Sequence, residues 1–264
     1  MIVAENIHKT LNGQEVLRGA SLRIEDGEMV ALIGSSGEGK TVLLKHLAGF
    51  FQPDEGRVLV DGTDMCCLRG RELEELRSHL GFLFQGGALF LSMTVYENIA
   101  FPLQEKTELS EEEIHDRVME ELRHVGMEGT EAKYPAELSG GMAKRVALAR
   151  SLIQSPRIML FDEPTTGLDP IIVHRIHNLI NSMRDRLNLT SVIVTHEIPS
   201  IFSIVDKVAM LHEGVIRFMG TPEEVLECDD DIVRDFIEGS MPPPEYWIGH
   251  RSQPDTSDQK KEPA

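Results

Sequence analysis

The sequence predicts an α/β protein built on a largely parallel sheet, and three observations carry that prediction. Apolar runs of strand length, "MVALIG", "RIMLFDEP" and "TSVIVTH", alternate with segments of helical periodicity. The first run ends in a glycine-rich loop, "GSSGEGKT", that opens a helix. A block of helical pattern between about residues 87 and 155 interrupts the alternation, as an inserted helical subdomain would.

Taken in order, the first sixty residues read mostly as short strands, with "EVLRGASLRI" partly alternating and "MVALIG" continuous, as a buried parallel strand is. "KTVLLKHLAGF" has helical spacing at Val42, Leu43, His46 and Leu47 and stops near Gly49. "GFLFQGG" contains a strand-like run before Gln85. The middle block holds "TVYENIAFPL", then "EEEIHDRVMEELRHVG", with Ser110 and Glu113 forming a capping box, then "GGMAKRVALARSLIQ". "DPIIVHRIHNLINSMRDRL" is a helix capped by Asp169 with Pro170 in its first turn. "KVAMLHEGVIRFMG" reads as a hairpin turning at Glu213-Gly214. "TPEEVLE" starts a short helix with Thr221 as cap and Glu224 closing the capping box.

With 264 residues the chain can bury a proper core. Residues 1–241 are expected to form the folded domain, and the Pro-rich polar stretch 242–264 a tail that is flexible unless it docks on a partner. A net charge of −18 speaks against sequence-independent nucleic-acid binding and against direct adsorption to an anionic membrane. Cys66, Cys67 and Cys228 show no metal-ligand spacing and read as reduced thiols. The N-terminus lacks the layout of a signal peptide, and no apolar run approaches the roughly 18 residues that span a bilayer. Any membrane role is expected to pass through a partner.

The loop Gly34, Ser35, Ser36, Gly37, Glu38, Gly39, Lys40, Thr41 fits G-x-x-x-x-G-K-[ST] between a strand and a helix. Its backbone N–H groups would face phosphate oxygens, Lys40 would reach the terminal phosphates, and the Thr41 hydroxyl would coordinate Mg²⁺. At the end of "IMLFD", Asp162 suits the Mg²⁺ shell, and Glu163 could orient or deprotonate an attacking water. His196 ends another buried strand, where ligands collect in parallel sheets, and is expected to contact the γ-phosphate; Gln85 could reach the metal or the water. Ser139, Gly140 and Gly141 open a helix whose free N–H groups form a second anion site, about a hundred residues from the first. Such a site could serve a nucleotide held by another molecule.

Set in order, the Walker A loop Gly34–Thr41, Gln85, "LSGGM", Walker B with Glu163, "GLD" at 167–169 and His196 resemble the ATPase subunit of an ABC transporter. The resemblance implies a P-loop NTPase with a RecA-like core, an antiparallel β subdomain and an inserted helical subdomain. It implies ATP and Mg²⁺ as cofactors, Glu163, His196 and Gln85 as catalytic residues, and Thr41, Gln85 and Asp162 around the metal. It also implies a head-to-tail pair of subunits, each ATP lying between one Walker A loop and the other subunit's signature helix, with Asp169 in the loop that couples the two sites. Two positions depart from the family: Met142 where glutamine is commonest, and Leu11 shortly after the first strand, where many relatives stack an aromatic on adenine.

"LFQGGALFLSMTVYENIAFPL", "ELSGGMAKRVALARSL" and "FDEPTTGLDPI" resemble the ATPases of Mla-type and Mce-associated phospholipid transporters. That implies an integral-membrane permease, an Mce-domain substrate-binding protein, a place on the cytoplasmic side of the bacterial inner membrane and a tail that touches the neighbouring subunit. Leu89, Phe90, Met93 and Tyr96 would then either line a groove for a permease helix or pack in the subdomain core. Two alternatives stand beside this: the ATPase of an amino-acid or other small-solute importer, and a soluble ABC ATPase of DNA repair or translation.

Overall fold

A computed structural model, which describes residues 1–240, begins with β1 (Ile2–Leu11), β2 (Gln14–Ile24), β3 (Met29–Ile33), α1 (Lys40–Leu47), β4 (Glu55–Val60) and β5 (Thr63–Asp64). There follow α2 (Gly70–Arg77), β6 (Leu80–Leu83), α3 (Val95–Lys106), α4 (Glu111–His124), α5 (Gly140–Leu152) and β7 (Ile158–Asp162). The last part holds α6 (Pro170–Leu187), β8 (Thr190–Val194), α7 (Ile198–Ile201), β9 (Lys207–His212), β10 (Val215–Gly220), α8 (Pro222–Leu226) and α9 (Asp231–Ser240). The predicted tail, 242–264, lies outside the described residues.

Two sheets form. The antiparallel sheet runs β2-β1-β4-β5, and the larger sheet runs β10-β9-β3-β8-β7-β6. In the larger sheet β9, β3, β8, β7 and β6 are all parallel neighbours, and only β10 pairs antiparallel, with β9. The strands predicted to be short at the start are in fact ten and eleven residues long, because β1 and β2 pair with each other along their whole length. Leu11 is consequently the last residue of β1, opposite Gln14, rather than a residue beyond the strand.

Side-chain alternation on the central strands divides the interior in two. Met29, Ala31 and Ile33 of β3, with Met159 and Phe161 of β7, face a core closed by α3 to α9; Val30, Leu32, Ile158 and Leu160 face one closed by α1 and the antiparallel sheet. Both faces are covered, which is why these strands read as unbroken apolar runs. The helix starts carry the caps the sequence predicted: Ser110 with Glu113, Thr221 with Glu224, and Asp169, whose Oδ1 accepts from the N–H groups of Ile171 and Ile172. The β9–β10 turn takes left-handed backbone at Glu213 (φ 47°) and Gly214 (φ 80°), the geometry that matches strand twist in a tight hairpin.

Candidate functional site

The carboxyl ends of four neighbouring parallel strands assemble the site, as expected where ligands bind α/β sheets. β3 leads to Gly34, β6 leads to Gln85, β7 ends in Asp162 and continues to Glu163, and β8 leads to His196. The loop Gly34–Thr41 begins tightly against β9. A Cβ on Gly34 (φ 142°) would lie 2.3 Å from the Leu211 carbonyl oxygen, so only glycine fits. Ser35, Ser36 and Gly37 are exposed at the loop crest, Glu38 is half-buried, and Gly39 and Lys40 are buried.

The Lys40 ammonium donates to the Gly34 and Ser35 carbonyl oxygens, both at 2.7 Å. Burial pushes its pKa below the ordinary lysine range, while Glu163, Glu38 and Asp162 pull the other way. Thr41 Oγ1 donates to Asp162 Oδ1 at 2.8 Å, joining the first turn of α1 to the end of β7. Burial raises the Asp162 carboxyl above its usual range, more than the Thr41 hydrogen bond lowers it. A buried carboxylate and a hydroxyl oxygen so placed beside a phosphate-type loop are hard donors of the kind Mg²⁺ prefers, so these residues fit that ion.

Glu163 sits at φ 47°, an uncommon conformation for a residue with a side chain, and its N–H donates to the Val194 oxygen at 2.9 Å. Its Oε2 is the meeting point of the site. It accepts from Thr166 Oγ1 at 2.6 Å and from Gln85 Nε2 at 3.2 Å, and lies 3.5 Å from His196 Nδ1. The His196 side chain is 55% exposed, and its Nε2 lies 3.7 Å from Glu197 Oε1. A carboxylate held by three such neighbours and still partly open to solvent can orient a water and take its proton.

Three contributors went unread in the sequence. Thr166 follows Glu163 by three residues and fixes its carboxylate. Lys144, buried in α5, donates to the Gln85 carbonyl oxygen, and Arg150 donates to the Gly87 and Ala88 oxygens at 2.9 Å.

Ser139, Gly140 and Gly141 are not brought to this cluster. Ser139 Oγ caps α5 by accepting from the Met142 N–H at 3.3 Å. A Cβ on Gly140 would lie 3.3 Å from Leu168, and one on Gly141 2.8 Å from Ile172, so the glycines press against the loop before α6 and its first turn. Among the described residues no hydrogen bond joins them to residues 34–41. Of the four apolar residues predicted for a groove or for the core, Leu89 and Tyr96 pack against the helical-side core, Met93 is half-buried and Phe90 is exposed.

Known proteins identify the family of the chain. The family model described as "ABC transporter" matches residues 17–166, more than half of the chain. The chain is 39% identical to the intermembrane phospholipid transport system ATP-binding protein MlaF of Haemophilus influenzae, over 92% of each chain. It is 40% identical to the probable ribonucleotide transport ATP-binding protein mkl of Mycobacterium leprae, over 100% of this chain and 75% of that one. Among solved structures it is similar to the dimeric post-hydrolysis state of the ATP-binding cassette MJ0796 bound to ADP and Pi, with TM-score 0.77 and 31% identity over 84% of this chain and 99% of that one. The chain belongs to the ABC transporter family, as an ATP-binding and ATP-hydrolysing subunit.

Proposed function

We propose that this ATPase powers phospholipid transport at the bacterial inner membrane. It would sit on the cytoplasmic face, held there by an integral-membrane permease, with an Mce-domain protein as the lipid-handling partner. The observation that carries the cargo is the 39% identity, over 92% of both chains, to a relative named for intermembrane phospholipid transport. No helix among the described residues is long and apolar enough to cross a membrane, in keeping with a permease supplying the membrane span.

In this reading residues 1–241 form the nucleotide-binding domain, and two copies pack head to tail. Gly34–Thr41 of one copy cradle the phosphates of ATP, and Ser139–Gly141 of the other offer their N–H groups to the γ-phosphate. Thr41 and Asp162, with Gln85, would hold Mg²⁺, which neutralises developing charge on the transferred phosphoryl group. Lys40 exchanges its loop carbonyls for phosphate oxygens. Glu163 takes a proton from the attacking water, while Thr166, Gln85 and His196 keep its carboxylate in place. Lys144 and Arg150 fix residues 85–88 to α5, so a push on the helical block reaches Gln85.

A second reading, a small-solute importer, is favoured by one observation: the relative at 40% identity carries a name for ribonucleotide transport. Purifying the tagged chain from gently solubilised native membranes separates the two. Co-purification of a permease, an Mce-domain protein and phospholipid supports the lipid cargo. A small-solute permease without lipid replaces it, and a chain free of any membrane partner removes transport altogether.

A further inference from the structure

The phosphate loop carries a carboxylate of its own, Glu38, and a negative charge beside a triphosphate weakens its binding unless that charge is balanced or held aside. The Glu38 side chain is 19% exposed and turned toward the β9–β10 turn. Its Oε2 accepts from the Glu213 N–H at 2.5 Å, and its Oε1 lies 3.4 Å from His212 Nδ1, a pairing that becomes ionic when the imidazole is protonated. The turn is anchored in its own right, since Gly214 O accepts from the Arg18 N–H of β2 at 2.9 Å. The other end of the loop meets the same strand, with Gly34 packed against the Leu211 carbonyl. Both ends of the loop therefore rest on the end of β9, one through backbone contact and one through the side chain of Glu38.

We propose that Glu38 is a positioning residue for nucleotide binding: its carboxylate, pinned by the Glu213 N–H and His212, fixes the curvature of the phosphate loop and keeps its charge out of the cradle. The inference rests on Gly34–Thr41 being the nucleotide-binding loop. It assigns to His212, which touches no residue of the catalytic cluster, an effect on ATP affinity that exists only while residue 38 is charged.

The test is a double-mutant cycle on the full chain, reading equilibrium ATP binding and steady-state hydrolysis. His212→Ala should raise the KM for ATP about fivefold with kcat held within about twofold, because a carboxylate released toward the phosphates opposes binding rather than chemistry. Glu38→Gln keeps an acceptor for the Glu213 N–H and removes the charge, and its own KM for ATP is the reference for the second arm of the cycle. Adding His212→Ala to Glu38→Gln should then change nothing. Glu38→Ala, which leaves the Glu213 N–H without its partner, should raise KM above that of Glu38→Gln. Equal effects of His212→Ala in both backgrounds, or none in the Glu38 background, would overturn the proposal; so would loss of kcat at unchanged KM. If His212→Ala does not fold, His212→Asn carries the same cycle. Lys40→Ala serves as the control on the underlying site. Undiminished ATP binding by that variant would remove the loop assignment itself, an outcome distinct from a silent His212→Ala.

Discussion

At the carboxyl ends of β3, β6, β7 and β8, the polar side chains of the site bond within the chain: Lys40 to loop carbonyls, Thr41 to Asp162, and Gln85 and Thr166 to Glu163. At the start of α5 the arrangement is different. Ser139 is used up capping its own helix, and Gly140 and Gly141 pack against Leu168 and Ile172 with their N–H groups at an uncovered helix terminus. Both places have the form of an anion site, yet one is furnished with acid, base and cation bonded to one another, and the other with backbone N–H groups beside a pocket lined by Arg145 and Arg175. A region rich in mutually bonded side chains can carry out chemistry. A bare helix start can only recognise charge, and its use depends on what is brought to it.

The largest effect should come from the furnished side. Glu163→Gln keeps the shape and the hydrogen-bond geometry around Thr166, Gln85 and His196 and removes the base. Turnover should fall by about 10²–10⁴, the usual contribution of a general base, with ATP binding retained. Hydrolysis near the parental rate would move the base elsewhere.

The second prediction compares the two cores under acid. His177 of α6 is buried on the helical side, neither ring nitrogen has a hydrogen-bond partner among the described residues, and burial pushes its pKa down to about 4. His46 of α1, on the other face, is buried too and lowered by burial, but its Nδ1 bonds the Val42 oxygen at 2.7 Å. An unfolded histidine titrates near 6.5, so between about pH 6.5 and 4 the unfolded chain binds the proton that folded His177 refuses. Stability is therefore complete above that window and falls as pH drops through it, by on the order of 3 kcal/mol if the whole shift is expressed. His177→Leu should flatten this acid limb in denaturant titrations at pH 5 and 7 more than His46→Leu does. An equal response from both variants would mean that the helical side is not the more acid-sensitive face.

The same contrast marks what was legible in the sequence. The furnished cluster was readable because strand-ending motifs fall at one sheet edge by topology: "GSSGEGKT", "FDE" and "THE" each follow an apolar run. Caps at Ser110, Asp169 and Thr221 and the Glu213-Gly214 turn were readable because they are local chemistry. Helix α2 was not, since its apolar face is only the pair Leu73 and Leu76, partly buried against the core, in a segment otherwise made of charged residues after Gly70. Neither were the side chains that act across the fold. Glu38 meets a turn 175 residues away, and Lys144 meets a carbonyl 59 residues away, pairings that nothing in the local pattern encodes. The left-handed backbone of Glu163 belongs to the same class, because its N–H bonds the Val194 oxygen at the end of β8; Thr166, by contrast, meets Glu163 locally, within one turn.

The smallest effect bears most directly on the comparison. Gly141→Ala adds one methyl group where the nearest atom, Ile172 Cγ2, would be 2.8 Å away, so α5 must shift against the first turn of α6 or Ile172 must turn aside. Neither movement touches Lys40, Thr41 or Asp162, and ATP affinity of the single chain should stay within about twofold. If the bare helix start serves a nucleotide carried by a second copy, the displaced N–H groups should lower kcat by about tenfold, the order of one misplaced charge-stabilising donor. The loss should appear under conditions where two copies meet, and dilution of the parent should imitate it. A Gly141→Ala chain with parental kcat would mean that this terminus is only a well-capped helix. A chain that loses ATP affinity instead would mean that the two regions are joined within one subunit, against the separation that their contacts describe.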